Sequence, residues 1–173
     1  HYTDLPFAGL TRGEVQAIEG LPVMYGERNR QFFAHDLDFA TRFTQILDNE
    51  PESELAMIRA LSRDLPHDTR IYLGNSLPVR EWDLAATREA RGYEYEANRG
   101  ANGIDGQLST FLGWCQAERN NVCVVGDLTA IYDLAAPWIA PQLDATFRIV
   151  IVNNGGGRIF GRVSSLRALD AAL

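Results

Sequence analysis

The sequence predicts an α/β fold, a doubly wound, Rossmann-like parallel sheet with helices on both faces. Three observations point to it. Two apolar runs of strand length, residues 122–125 and 147–152, flank a helical segment and so form a βαβ unit, whose strands are parallel. Each run ends in a glycine loop, Gly126-Asp127-Leu128-Thr129 after the first and Asn153-Asn154-Gly155-Gly156-Gly157 after the second. The same succession of strand and glycine loop occurs twice upstream, after residues 71–73 and 93–96. In such a sheet the loops at the carboxyl ends of the strands open on one crevice, so the four loops are expected to share an edge.

In order, residues 1–35 mix Pro6, Pro22, Gly9, Gly13, Gly20 and Gly26 with scattered apolar residues and hold no sustained period. They read as a linker or the tail of a preceding middle domain, with the α/β domain spanning 36–173. Residues 37–47 form a short helix. Residues 51–65 form a better one, with Pro51 in the first turn, Glu52 and Glu54 near its positive end, Leu55, Ile58, Leu61 and Leu65 on one face, and Pro66 as its stop. His67 falls in a solvated turn.

Strand 71–73 leads into Gly74-Asn75-Ser76-Leu77-Pro78-Val79-Arg80-Glu81-Trp82, and strand 93–96 into Asn98-Arg99-Gly100-Ala101-Asn102-Gly103-Ile104-Asp105-Gly106. Residues 107–118 read as a helix burying Leu108, Phe111, Leu112 and Cys115. The crossover helix spans 128–139, with Pro137 near its end. After Asn154 only a polar stretch with some helical character follows, whereas such a sheet normally needs another strand or two. The domain is expected to be incomplete at its carboxyl terminus.

Composition narrows the chemistry. At 173 residues the chain has room for one ordinary domain and a real core. It has no apolar run of membrane-spanning length and no signal-like amino terminus, so a soluble, cytoplasmic protein is expected. The net charge of −7 argues against nucleic acid as the main partner. All 16 basic residues are arginine. Without lysine there is neither a Walker A loop nor a lysine Schiff base. His1, His35 and His67 lie outside the loop motifs, which disfavours a histidine base or a Ser-His-Asp triad. Cys115 and Cys123 lack a metal-ligand spacing and read as reduced core thiols.

The βαβ unit sets Asp127 and Asn154 side by side. A carboxylate and an amide oxygen are hard ligands suited to Mg²⁺, and a magnesium held by so few protein groups keeps positions for water and phosphate oxygens. Gly126 and residues 155–157 leave room for a diphosphate against the backbone, Thr129 adds a hydroxyl, and the helix beginning near Leu128 points its free N–H groups at the anion. Arg80 and Arg99 are suited to hold carboxylates, with Asn75 and Ser76 beside them as neutral hydrogen-bonding groups. The alternatives are ordinary turns for the loops and surface ion pairs with Glu81, Glu94 or Glu96 for the arginines.

Gly126-Asp127 with Asn154 as the second of an Asn-Asn pair resembles the magnesium and diphosphate motif of thiamine diphosphate-dependent enzymes. The strings GNSLPVREWD, NRGANGIDG, GDLTAIYDL and NNGGGRIF, in that order, narrow the resemblance to the carboxyl-terminal domain of the carboligases of menaquinone biosynthesis. The match runs from about Pro51 to Phe160. It implies Mg²⁺ held by Asp127, Asn154 and the carbonyl of Gly156. It also implies a thiamine diphosphate site of Gly103, Ile104, Gly126, Asp127, Leu128, Thr129, Asn154, Gly156, Gly157 and Ile159, with Ile104 propping the bent cofactor.

By the same resemblance Asn75, Ser76, Arg80, Arg99 and Phe160 contact substrate. The implied reaction decarboxylates 2-oxoglutarate and adds the four-carbon unit to isochorismate. The activating glutamate is expected in a pyrimidine-binding domain of another subunit, in a homodimer or homotetramer, so no catalytic residue is assigned to this chain. Asn102, Gly155 and Arg158 depart from the pattern or lie in its variable part. A non-catalytic diphosphate-binding module and a carboligase or decarboxylase for another 2-oxo acid are the alternative readings.

Overall fold

A computed structural model describes residues 27–99 and 103–162. The chain divides into two compact units, residues 1–45 and 46–173. Helix α1, Glu27–Asn49, begins in the first. It starts earlier than the expected 37–47, because its local bonds do not need a buried stripe. Arg42 pairs with Asp38 at 3.0 Å and Thr41 Oγ1 donates to the Leu37 carbonyl, while Phe32 and Leu37 stay exposed.

In the second unit α2 (Glu54–Asp64) is followed by β1 (Arg70–Leu73), α3 (Leu77–Ala85), β2 (Glu94–Glu96), α4 (Gln107–Trp114), β3 (Asn121–Gly126) and α5 (Asp127–Tyr132). A 3₁₀ segment, Ala136–Gln142, then leads to β4 (Phe147–Val152) and a last 3₁₀ turn, Phe160–Arg162. α2 begins after Pro51 and Glu52, because Ser53 is its cap and accepts the Ala56 N–H at 3.3 Å. Its end at Leu65, in extended backbone, follows from Pro66.

The four strands are all parallel, in the order β2-β1-β3-β4. Each predicted strand is present. The chain runs outward from β1 to β2, then crosses back to β3 on the other side, so the switch point lies between β1 and β3. There the backbones approach so closely that a Cβ on Gly74 would lie 2.8 Å from Val125 Cγ1 and 3.1 Å from the Val124 carbonyl oxygen. Along β1 and β3, Tyr72, Cys123 and Val125 face α4 and pack with Leu108, Phe111 and Leu112. The alternate residues Ile71, Leu73, Val122 and Val124, equally buried, point to the other face, where α3 packs on β1 and β3.

Two helices differ from expectation. α4 stops at Trp114 rather than 118 because the buried Asn121 side chain bonds both the N–H and the carbonyl of Gln116, turning the chain into β3. The crossover 128–139 is broken at Asp133, whose carboxylate accepts from Ser109 N at 2.7 Å and Ser109 Oγ at 3.1 Å. Pro137 therefore sits at the start of the 3₁₀ segment, not at the end of a helix.

Cys115 and Cys123 are free thiols; burial pushes Cys115 up to about 11 and Cys123 higher still, so both are protonated and inert at neutral pH. Among the described residues no helix is long and apolar enough to cross a membrane.

At the amino edge of the sheet the buried Arg70 donates to the Trp114 carbonyl, lies 3.8 Å over the Trp114 ring and pairs with Glu94 at 2.9 Å. The hydrogen bond from Arg70 holds the Glu94 carboxyl below its ordinary value. Stability from this lowering is present above the unfolded value and is lost as pH falls through the folded one. Thermal melts of the wild type and Glu94→Gln should therefore differ at neutral pH and converge as pH drops below about 4. A difference independent of pH would show that the pair contributes through packing alone.

Candidate functional site

β3 and β4 pair with Gly126 opposite Val152, so the loops carrying Asp127 and Asn154 leave neighbouring strand ends. Both residues line one half-open cleft at the carboxyl ends of the strands. Of the cofactor positions expected, Ile104, Gly126, Leu128, Thr129, Gly157 and Ile159 also line it, and so do Ser76 and Phe160. Gly103, Gly156, Asn75, Arg80 and Arg99 are not among the lining residues.

The two candidate ligands are oriented by hydrogen bonds, one local and one between distant segments. Asp127 Oδ1 accepts the Leu128 N–H at 2.7 Å, which anchors the carboxylate at the first turn of α5. Asn154 Nδ2 donates at 3.2 Å to Glu54 Oε2. An ionised carboxylate only accepts, so the NH₂ must face Glu54 and the amide oxygen is turned away from it. Glu54 was read as a helix-dipole residue, and sequence carries no signal for this contact.

Gly155, Gly156 and Gly157 all take positive φ, 84°, 75° and 64°, which lets the loop double back on the cleft. A Cβ on Gly156 would meet Leu128 Cδ2 at 3.1 Å. Arg158, which follows, lines the cleft and donates from Nε to the Asn154 carbonyl at 2.8 Å. It brings positive charge to the place where the sequence predicts an anion. A basic residue directly after the glycine run was a signal that sequence reading left unused.

The donor set suits Mg²⁺: one carboxylate, one amide oxygen and main-chain carbonyls are all hard oxygens. Among the described residues no group of three or more His, Cys, Asp and Glu side chains is placed to hold a metal. A site here therefore depends on the amide and the backbone as well as the acid. α5 has only six residues, so its N–H groups matter more than any macrodipole.

The expected substrate residues divide. Ser76 lines the cleft with φ 72° and ψ −128°, a conformation that an L-residue holds only under constraint. Arg80 and Arg99 are exposed. Arg80 Nη1 donates to the Ser76 carbonyl at 2.6 Å and Arg99 Nη1 to Asn75 Oδ1 at 3.0 Å. The alternative partners are engaged elsewhere, Glu81 being fully buried, Glu94 held by Arg70 and Glu96 accepting the Ala97 N–H. Asn75 is itself buried, and its Nδ2 donates to the Gly103 carbonyl at 2.7 Å. Asn102 lies outside the described residues.

No protein-family model matches the chain. Curated relatives do. The chain is 54% identical over 125 residues to 2-succinyl-5-enolpyruvyl-6-hydroxy-3-cyclohexene-1-carboxylate synthase of Bdellovibrio bacteriovorus, covering 72% of this chain and 24% of that protein. It is 47% identical over 117 residues to the synthase of Akkermansia muciniphila, covering 67% and 22%. It is 37% identical over 121 residues to that of Shewanella sediminis, covering 69% and 21%. The chain thus resembles a segment of these synthases and spans about a quarter of their length.

The glycine run makes a direct test of the loop geometry. Gly156→Ala should lower stability by about 1–2 kcal/mol, because an L-residue is forced to positive φ, and should displace the Leu128 side chain. Urea unfolding measures the first, and an unchanged midpoint would show that the loop relaxes freely.

Proposed function

We propose that this chain is the diphosphate-binding part of a thiamine diphosphate- and Mg²⁺-dependent carboligase, one that decarboxylates 2-oxoglutarate and adds the four-carbon unit to isochorismate in menaquinone biosynthesis. The observation that carries this reading is the convergence of Asp127 and Asn154 on one cleft, with Asn154 oriented by Glu54. The names of the relatives supply the reaction class.

In this reading Asp127, the Asn154 amide oxygen and the Gly156 carbonyl hold the cation. Residues 155–157 and Gly126 let the backbone approach a diphosphate, with Thr129 and Arg158 beside it. Ile104, Leu128, Ile159 and Phe160 keep water from the apolar side of the cleft. When bound, thiamine diphosphate supplies the electron sink that lets a 2-oxo acid lose carbon dioxide. Arg80 and Arg99 stand outside the lining and would meet substrate carboxylates at the rim. Because no catalytic base is assigned to this chain, the reading needs a pyrimidine-binding domain from another subunit. The second reading, a diphosphate-binding module without chemistry, uses the same metal site and differs only in having no use for the arginines.

Two measurements test the proposal in the complete enzyme. Asp127→Ala and Asn154→Ala should each abolish Mg²⁺-dependent thiamine diphosphate binding in calorimetry while leaving the apo melting temperature nearly unchanged, and Glu54→Ala should raise the Mg²⁺ concentration required. Cofactor affinity that survived all three would remove the assignment. Arg80→Ala and Arg99→Ala should reduce kcat/KM for the substrates by roughly 30-fold or more with cofactor affinity retained; wild-type kinetics would favour the module.

A further inference from the structure

We propose that Asn75 and Gln107 act as one positioning pair that clamps the Gly103 carbonyl and so holds Ile104 against the cleft. Asn75 then serves the loop rather than the substrate. The pair is buried, Asn75 at 1% and Gln107 at 0% exposure. Both side-chain amides donate to the same Gly103 oxygen at 2.7 Å, engaging both of its lone pairs. Gln107 Oε1 accepts the Asn75 N–H at 2.9 Å, and Asn75 Oδ1 accepts from Arg99. Each amide therefore has its donor and its acceptor engaged inside the protein.

A clamp is needed here because the strand leading into this loop is weak. β2 has three residues, all exposed, and its pairing with β1 ends at Tyr72 and Glu96. Beyond that point the Asn75 and Gln107 bonds tie the loop after β2 to the loop after β1. The same bonds brace Asn75 immediately before Ser76, whose positive φ requires support from its neighbours. One buried pair thus sets two walls of the cleft, Ile104 on one side and Ser76 on the other.

The experiment has an arm that rests on the thiamine diphosphate reading and an arm that does not. By NMR hydrogen exchange on the full chain, Gln107→Met should deprotect the Asn75 amide by about tenfold or more, with the amides of residues 122–125 still protected as proof of folding. Gln107→Glu keeps the acceptor for Asn75 N–H but loses the donor to Gly103, so it should keep that protection.

In the complete enzyme at saturating Mg²⁺, Gln107→Glu and Asn75→Asp should each raise the Kd for thiamine diphosphate about tenfold, and the double variant should do no more than the worse single one. Unchanged Asn75 protection in Gln107→Met would overturn the clamp. So would an Asn75→Asp variant that raised only the KM for the 2-oxo acid. If the wild type bound no thiamine diphosphate yet Gln107→Met still deprotected Asn75, the cofactor reading would fall and the clamp would stand.

Discussion

The pairing of β1 with β3 is the constraint on which the rest of the second unit depends. Both strands are buried on both faces, and their partners run from Arg70 opposite Asn121 to Leu73 opposite Val124. Each buried aliphatic side chain there contributes about 1.5–3 kcal/mol, a sizeable fraction of the stability of a whole domain. The close approach at Gly74 admits no side chain, so the loop after β1 starts flush against β3. From that contact the chain winds outward both ways, and the loops that form the cleft are brought to one edge.

Polar side chains then tie those loops and turns, and they differ between the two edges of the sheet. At the amino edge the tie is ionic, with Arg70 against Glu94 and the Trp114 ring. At the carboxyl edge it is made mainly of neutral amides: Asn75 and Gln107 on Gly103, and Asn154 on Glu54. Neutral amides carry a smaller desolvation penalty than charges and give direction through both donor and acceptor.

The charge of the molecule is −7, yet three arginines stand at the carboxyl edge, Arg80 in the first turn of α3 and Arg99 and Arg158 in the loops. An acidic protein with a locally basic rim repels anions at long range and admits them where the fixed cations stand. Asp127 would be neutralised by the cation it is proposed to hold, which leaves the arginines to face the ligand. In the curated relatives this stretch is about a quarter of the protein. The remaining wall of the crevice is accordingly proposed to come from elsewhere in the assembly.

The sequence alone determined the parallel α/β sheet, its four strands and the edge at which the glycine loops gather. Those are local signals, apolar runs of strand length and residues that permit tight turns, and they mean the same thing wherever they occur. Asp127 and Asn154 were legible as cleft residues for that reason, whereas Ile104 was reached only through the family resemblance. Glu54 was not, because it meets Asn154 from 100 residues away and nothing in either neighbourhood marks the contact. The helix ends at Trp114 and Tyr132 were missed likewise, since Asn121 and Ser109 set them from other segments. Asn75 looked like a ligand-binding amide, and only the tertiary structure turned it inward onto Gly103 and Gln107. Periodicity decides which surface is buried, but the partner of a buried polar group depends on which segments the fold brings together.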